Sequence, residues 1–379
     1  MAEKKLGGLE DVVVCESSIC FIDGQRGQLV YRGYDIDDLA AHSTFEEVAY
    51  LLWNGRLPLE HELAELHTQL LDAMLLPWEL LEVLKQLPPE SGGMRVLQVG
   101  VSALGILDPQ GDEMSPEANR AKAIRLAAQL ILLTTTWHRL SHNLEPVEPR
   151  HEYGLAWNFL YMMSGEEPDH LAARTFDVAL ILHADHELNA STFSARVTAA
   201  TLSDMHSAIV SAIGTLKGPL HGGANEAVMK MLREIGTVEN AAPYVEDAVT
   251  NKKKIMGFGH RVYKAKDPRA RILEGMSQEL GRRMDDSSWF EMSRAVEAAF
   301  QPRVAARGIY PNVDFFSASA YHVMGIPDDL FTPIFACSRV VGWTAHLMEQ
   351  YANNRLFRPD SDYVGEKGLK WKPVDEREA

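Results

Sequence analysis

Only one stretch of this sequence, residues 11–33, is patterned as β structure; from there to about residue 351 the apolar residues recur at helical spacing. Within the β stretch, 11–15 and 19–22 are short apolar runs, Asp23-Gly-Gln-Arg-Gly27 makes a turn, and 29–32 returns. Cys15 and Cys20 are expected on neighbouring strands as small apolar fillers. Downstream, start and stop signals divide the chain into helices. Ser43-Thr-Phe-Glu46 reads as a capping box ahead of Val48, Leu51, Leu52 and Trp53, with Gly55 closing that helix. Helices are expected over 60–75, between Pro77 and Pro88, over 94–107, and from Ser115-Pro116-Glu117 to about 140. After a loop at 141–154 they resume at 156–163, 168–188, 196–216, 224–235, 242–253, 267–284 and 288–300. A loop carrying Asp314 leads to a helical stretch ending at His322, and 331–351 is a long apolar helix. The tail from Asn353 is polar, holds Pro359 and Pro373, and is expected to run over the surface. The fold class is therefore mainly α, with a small N-terminal β region.

A chain of 379 residues is long enough for two domains. No run of about eighteen apolar residues crosses a membrane, and nothing at 1–8 resembles a secretory signal or an Arg- and Ser-rich import leader. A net charge of −16 argues against nucleic acid as partner, since phosphate contacts need an excess of Lys and Arg. Three cysteines without metal-ligand spacing, Cys15, Cys20 and Cys337, imply a reducing, cytoplasmic setting and no disulfide framework.

Three segments carry chemistry. In Gly218-Pro-Leu-His-Gly-Gly-Ala-Asn-Glu226, His221 stands between a proline turn and two glycines, just before a helix. Exposed N–H groups at that helix start would keep the imidazole neutral, so that it can donate to a developing oxyanion. A loop histidine merely packed by glycines fits the same residues. Residues 251–272 hold eight basic residues, Lys252, Lys253, Lys254, Arg261, Lys264, Lys266, Arg269 and Arg271, against one acid, Asp267. That is either a solvated basic face or an anion site, and the glycines of Ile255-Met-Gly-Phe-Gly-His260 suit close contact with phosphates. They are not a dinucleotide fingerprint, because no strand precedes them. In Pro311-Asn-Val-Asp-Phe-Phe316, Asp314 is either a solvated N-cap or, desolvated by the rings, a base.

Two further features need a reading. Arg339 interrupts the apolar helix at 331–351 and requires an anionic partner, whether an ion pair or a ligand. His183 and His186, with Glu187 nearby, lack the order and third ligand of a metal site, and no metal is expected.

Taken together and in order, GPLHGGANE, MGFGHRVYKAKDPRA and PNVDFFSA resemble the catalytic segments of the citrate synthase family, over nearly the whole chain. The resemblance implies a large helical domain built from 1–218 and 327–379, with a small domain, 219–326, inserted, and the catalytic segments in the cleft between them. It makes His221, His260 and Asp314 the catalytic groups. It makes His186, Arg269, Arg339 and Arg358 the oxaloacetate-binding set, with Arg358 supplied by the neighbouring subunit of a homodimer. Coenzyme A would meet Lys254, Ile255, Met256, Gly257, Phe258, Gly259 and Asn312. The reaction implied is condensation of acetyl-CoA with oxaloacetate, followed by hydrolysis of citryl-CoA, with no tightly bound cofactor and no metal. A 2-methylcitrate synthase using propionyl-CoA shares every one of these motifs, and a non-catalytic acyl-CoA-binding protein would need only the basic segment. The short chain lacks the N-terminal extension of the family's NADH-inhibited hexamers, which favours a dimer.

Overall fold

The computed structural model describes residues 8, 9 and 12–377. Residues 1–7 lie outside them, and with these most of the N-terminal stretch in which no targeting signal was read.

The β region is a three-stranded antiparallel meander, β1 (Cys20–Asp23), β2 (Gln28–Tyr31) and β3 (Tyr34–Asp35). Its register pairs Cys20 with Tyr31 and Asp23 with Gln28, so the turn falls where Asp23-Gly-Gln-Arg-Gly27 placed it. The expected first strand is absent: 12–17 is irregular, and Asp11 lies outside the described residues. Cys15 is therefore half-buried in an irregular segment, not paired beside Cys20.

Sixteen α-helices follow among the described residues. The first five are α1 (Ile36–His42), α2 (Phe45–Asn54), α3 (Glu60–Asp72), α4 (Trp78–Gln86) and α5 (Gly93–Leu107). Next come α6 (Pro116–Ser141), α7 (Leu155–Ser164), α8 (His170–His183), α9 (Ala190–Ala199) and α10 (Met205–Leu216). The last six are α11 (Ala224–Ile235), α12 (Ala241–Thr250), α13 (Pro268–Arg283), α14 (Ser288–Val304), α15 (Val313–Val323) and α16 (Phe331–Ala352).

Local chemistry explains the boundaries. The α2 capping box is formed by Thr44 and Glu47, one residue later than read, because Ser43 instead caps the end of α1. Helix α1 itself escaped the pattern, since seven residues hold too little periodicity. The stretch at 196–216 is two helices: Leu202 takes a positive φ of 64°, and Asp204 then accepts from the Ser207 amide as a fresh N-cap. Helix α8 stops at His183 rather than 188, and Asn189 caps α9, leaving 184–188 as a turn.

Helix α16 organises the packing. Every residue from Phe331 to Leu347 is buried, so the helix is enclosed on all sides, polar Arg339 and His346 included. Helices α2, α6, α8, α9 and α10 pack around it. Each of its large side chains stabilises the fold by roughly 1.5–3 kcal/mol through burial. Helix α13 packs on α15 and α14 and also reaches α8 and α1, bringing the segment before it against the turn that follows α8.

Candidate active site

The second and third motif segments are joined directly. The Asn312 amide donates to Gly257 O (2.9 Å), the Gly259 amide donates to Tyr310 O (2.8 Å), and Phe258 and Pro311 form an antiparallel bridge. Gly257 takes φ +77°, and a Cβ there would stand 2.8 Å from both Phe315 and Val228, so this crossing admits only glycine. Asn312 holds the junction: its Oδ1 accepts from the Asp314 amide (3.1 Å) and its Nδ2 donates to Gly259 O (3.1 Å). Its side chain is thus an N-cap and a brace. The expected coenzyme segment is uneven: Lys254 is exposed, the Ile255 side chain is buried, and Met256 and Phe258 are half-buried.

Asp314 sits in the first turn of α15, not in a loop. A helix start favours a carboxylate, yet burial dominates and raises its pKa to about 7, with the Arg269 guanidinium pulling the other way. Its Oδ1 is buried with no hydrogen-bond partner among the described residues.

His260 accepts at Nδ1 from the amides of Val262 (3.1 Å) and Tyr263 (3.2 Å). Burial, and then the charge of Arg269, lowers its pKa to about 4, so it is neutral and its proton lies on Nε2.

His221 lies in the turn before α11, where the Gly222 amide donates to Leu216 O (2.9 Å). A Cβ on Gly222 would stand 2.5 Å from that oxygen, so the glycine serves close approach; it does not supply a left-handed bend. Its pKa is lowered to about 4 by burial and then by Arg339, so the imidazole is neutral as expected but for a different reason. The Ser191 amide points at Nε2 (3.4 Å), and the Ser191 Oγ is 2.8 Å away. An N–H can only donate, which leaves Nδ1 carrying the proton. The Trp343 indole N–H donates to Ser191 Oγ (3.1 Å), anchoring this arrangement to α16.

His186, in the turn between α8 and α9, is buried; its ring centroid lies 5.0 Å from that of His260 and 5.5 Å from that of Tyr263. Burial first, and then the charges of Arg269, His260 and Arg339, hold its pKa well below the usual imidazole range. Arg339 is buried on α16; its Nε donates to His183 O (2.6 Å) and its guanidinium lies 4.7 Å over the Phe335 ring. No carboxylate pairs with it among the described residues, and burial lowers its pKa to about 10. Arg269 is different: Asp267 accepts from its Nε (3.0 Å) and Nη2 (2.8 Å), so one edge of the fork is already occupied.

The structure thus groups His186, His221, His260, Arg269, Arg339 and Asp314. Arg358 stands apart on the exposed tail, bonded among the described residues only to Pro359 O and Asp360. The basic run is half neutralised. Lys253 pairs with Asp247, Lys266 with Glu274 and Glu297, Arg269 with Asp267, and Arg271 with Asp37. Lys252, Lys254, Arg261 and Lys264 are exposed and make no ion pair among the described residues. Two surface clefts, of about 650 and 710 Å³, lie elsewhere, one beside Arg26, Lys266 and Arg271 and the other along α2, α3 and α6. The grouped side chains are themselves mostly buried. No group of three or more His, Cys, Asp or Glu is set as a metal site would require among the described residues. No helix there is long and apolar enough to cross a membrane.

Residues missed in the sequence are Tyr263, Ser191, Trp343 and Phe335, the last lying against His183, His221 and Arg339. Tyr263 lay inside a motif already singled out; the others carry no local signal.

A helical enzyme is defined here, with a desolvated carboxylate, neutral imidazoles and a buried guanidinium that no carboxylate pairs among the described residues. The family model described as citrate synthase, C-terminal domain, matches residues 8–360. Citrate synthase 2 of Bacillus subtilis is 54% identical over 371 residues, covering 98% of each chain. A 2-methylcitrate synthase of Shewanella oneidensis is 43% identical over 378 residues, covering 99% of each. The citrate synthase of Thermoplasma acidophilum, solved as a ternary complex with carboxymethyl coenzyme A and oxaloacetate, superposes with a TM-score of 0.91 at 34% identity, covering 97% of this chain and 98% of that one. The chain belongs to the citrate synthase family. It is an acyltransferase of that family.

Proposed function

We propose that this enzyme condenses acetyl-CoA with oxaloacetate and hydrolyses the citryl-CoA formed, releasing citrate and coenzyme A. The observation that carries the reading is Asp314: a buried carboxylate with a bare Oδ1 and a pKa near 7, within the field of Arg269 and Arg339. Removing a proton from the carbon beside a thioester requires such a base, held near neutrality by its surroundings. His221, with its proton on Nδ1, donates to the thioester oxygen as negative charge gathers there. His260 donates from Nε2 to the oxaloacetate carbonyl, making that carbon the electrophile and protonating its oxygen as the new bond forms. Arg339, Arg269 and His186 meet the two carboxylates. Arg339 is the strongest of these, because its planar fork has no carboxylate of its own.

Coenzyme A lies along 254–259, with the unpaired Lys252, Lys254, Arg261 and Lys264 available to its phosphates. The contacts among α11 to α15 support an inserted unit at 219–326, alongside the contacts of α13 with α8 and α1. A homodimer completes the site with Arg358. Support comes from the tail, where Leu356, Tyr363, Val364, Leu369 and Trp371 are exposed, more apolar surface than a solvated tail needs. Cys15, Cys20 and Cys337 are free thiols, in keeping with a cytoplasmic enzyme. No metal or tightly bound cofactor enters the scheme.

The second reading, 2-methylcitrate synthesis from propionyl-CoA, differs by one methylene in a pocket and by only about 1–3 kcal/mol of discrimination. Release of free CoA thiol from acetyl-CoA that depends on oxaloacetate tests the proposal. Thiol release that ignores oxaloacetate refutes it as simple thioester hydrolysis, and no release refutes it in favour of a binding protein.

A further inference from the structure

Tyr263 lies between two imidazoles. It is 1% exposed, with its ring centroid 4.8 Å from that of His260 and 5.5 Å from that of His186. Its backbone N–H donates to His260 Nδ1 (3.2 Å), and its hydroxyl lies 3.3 Å from His186 Nε2. A buried phenol needs a partner for its O–H, and among the described residues His186 is the only one. If Nε2 of His186 carried the proton, the Tyr263 hydrogen would have no acceptor, and leaving a buried donor unmet is costly. The hydroxyl therefore donates to Nε2, and the His186 proton lies on Nδ1. Burial pushes the phenol well above its ordinary range, so the hydroxyl keeps its proton. The same residue keeps the His260 proton on Nε2 through its backbone. The spacing permits this because Tyr263 follows His260 by three residues and so folds back over it.

We propose that Tyr263 is a positioning residue that sets the proton arrangement of both His260 and His186, and that its hydroxyl tunes the affinity for the oxo-dicarboxylate substrate by holding His186 with Nδ1 protonated. This rests on the reading that His186 meets oxaloacetate.

Tyr263→Phe keeps the ring and the backbone N–H and removes only the hydroxyl. The oxaloacetate KM should rise about tenfold, with kcat within about threefold and the acetyl-CoA KM unchanged, because one buried acceptor is left unmet. In a His186→Ala background the same change should add less than about twofold, since coupled residues are not additive. A merely structural role would lower thermal stability and move both KM values together. Independently, nitrogen NMR of histidine-labelled, unliganded wild type should show His186 protonated on Nδ1, with Tyr263→Phe admitting the Nε2 form. An oxaloacetate KM within about twofold of wild type, or a wild-type His186 protonated on Nε2, overturns the proposal. The spectrum needs no substrate, so it decides even if oxaloacetate fails as a substrate and the functional reading falls.

Discussion

The Nδ1 of His260 lies 3.1 Å from the amide nitrogen of Val262. That amide can only donate, so the ring presents Nε2–H outward as a neutral acid. Through the fields of Arg269 and Arg339 it is linked to Asp314, with a pKa raised to about 7, and to His221, lowered to about 4. Titratable groups pushed apart in this way are what the proposed base and two donors require.

Replacing Asp314 by Ala should leave oxaloacetate binding intact and slow the reaction by roughly 10²–10⁴, the usual loss for a general base. Exchange of the acetyl-CoA methyl protons with solvent deuterium, followed by NMR, reads that step alone. Wild-type exchange rates in the variant would remove Asp314 from the role.

The burial of Asp314 should also appear in stability. Its unfolded pKa is about 3.9, and its folded value is about 7. The folded state therefore holds the proton more tightly, and stability present below about pH 4 is lost as pH rises towards 7. Between pH 5 and pH 8 wild type should lose on the order of 2–3 kcal/mol that Asp314→Asn keeps. Urea unfolding of both proteins at the two pH values gives the comparison, and a gap that does not widen with pH would contradict the burial argument.

Oxaloacetate and the acyl-CoA should tighten one another. Arg339 and His186 belong to α16 and the turn after α8, whereas His260 and Arg269 belong to the stretch before α13 and its first turn, so a dicarboxylate draws the two sets together. Linkage makes the effect reciprocal. Calorimetry with a non-reactive acetyl-CoA analogue should give a lower Kd at saturating oxaloacetate; an unchanged Kd would refute coupling.

Arg358 should act across a two-fold axis. Asp314→Ala and Arg358→Leu homodimers should each be nearly dead. Co-refolding makes about half the dimers hybrid, each with one site free of both lesions, so activity should return to roughly a quarter of wild type. Hybrids confirmed by native mass spectrometry but without activity would place Arg358 in its own protomer's site.

Much of the site was legible because its chemistry is contiguous. His221, His260 and Asp314 each lie in a short run whose neighbours explain them, and α16 shows its buried state in a largely apolar composition broken by Arg339. What could not be read depends on pairs distant in the chain. Tyr263 meets His186 across 77 positions, and Trp343 reaches Ser191 across 152. The neutrality of His221 was read from a helix start, whereas burial and Arg339 produce it. Asn312 was read as a ligand contact, and that its side chain also caps Asp314 and braces Gly259 could not be read. The break at 200–204 went unread because the apolar residues continue across it, although Asp204 is itself a cap signal.

The most direct test of the account is the ratio of kcat/KM for acetyl-CoA to that for propionyl-CoA, measured by thiol release at saturating oxaloacetate with the product identified. The account predicts citrate as product and a ratio well above one, with both rates collapsing in Asp314→Ala. A ratio below one, with 2-methylcitrate as the favoured product, would contradict it.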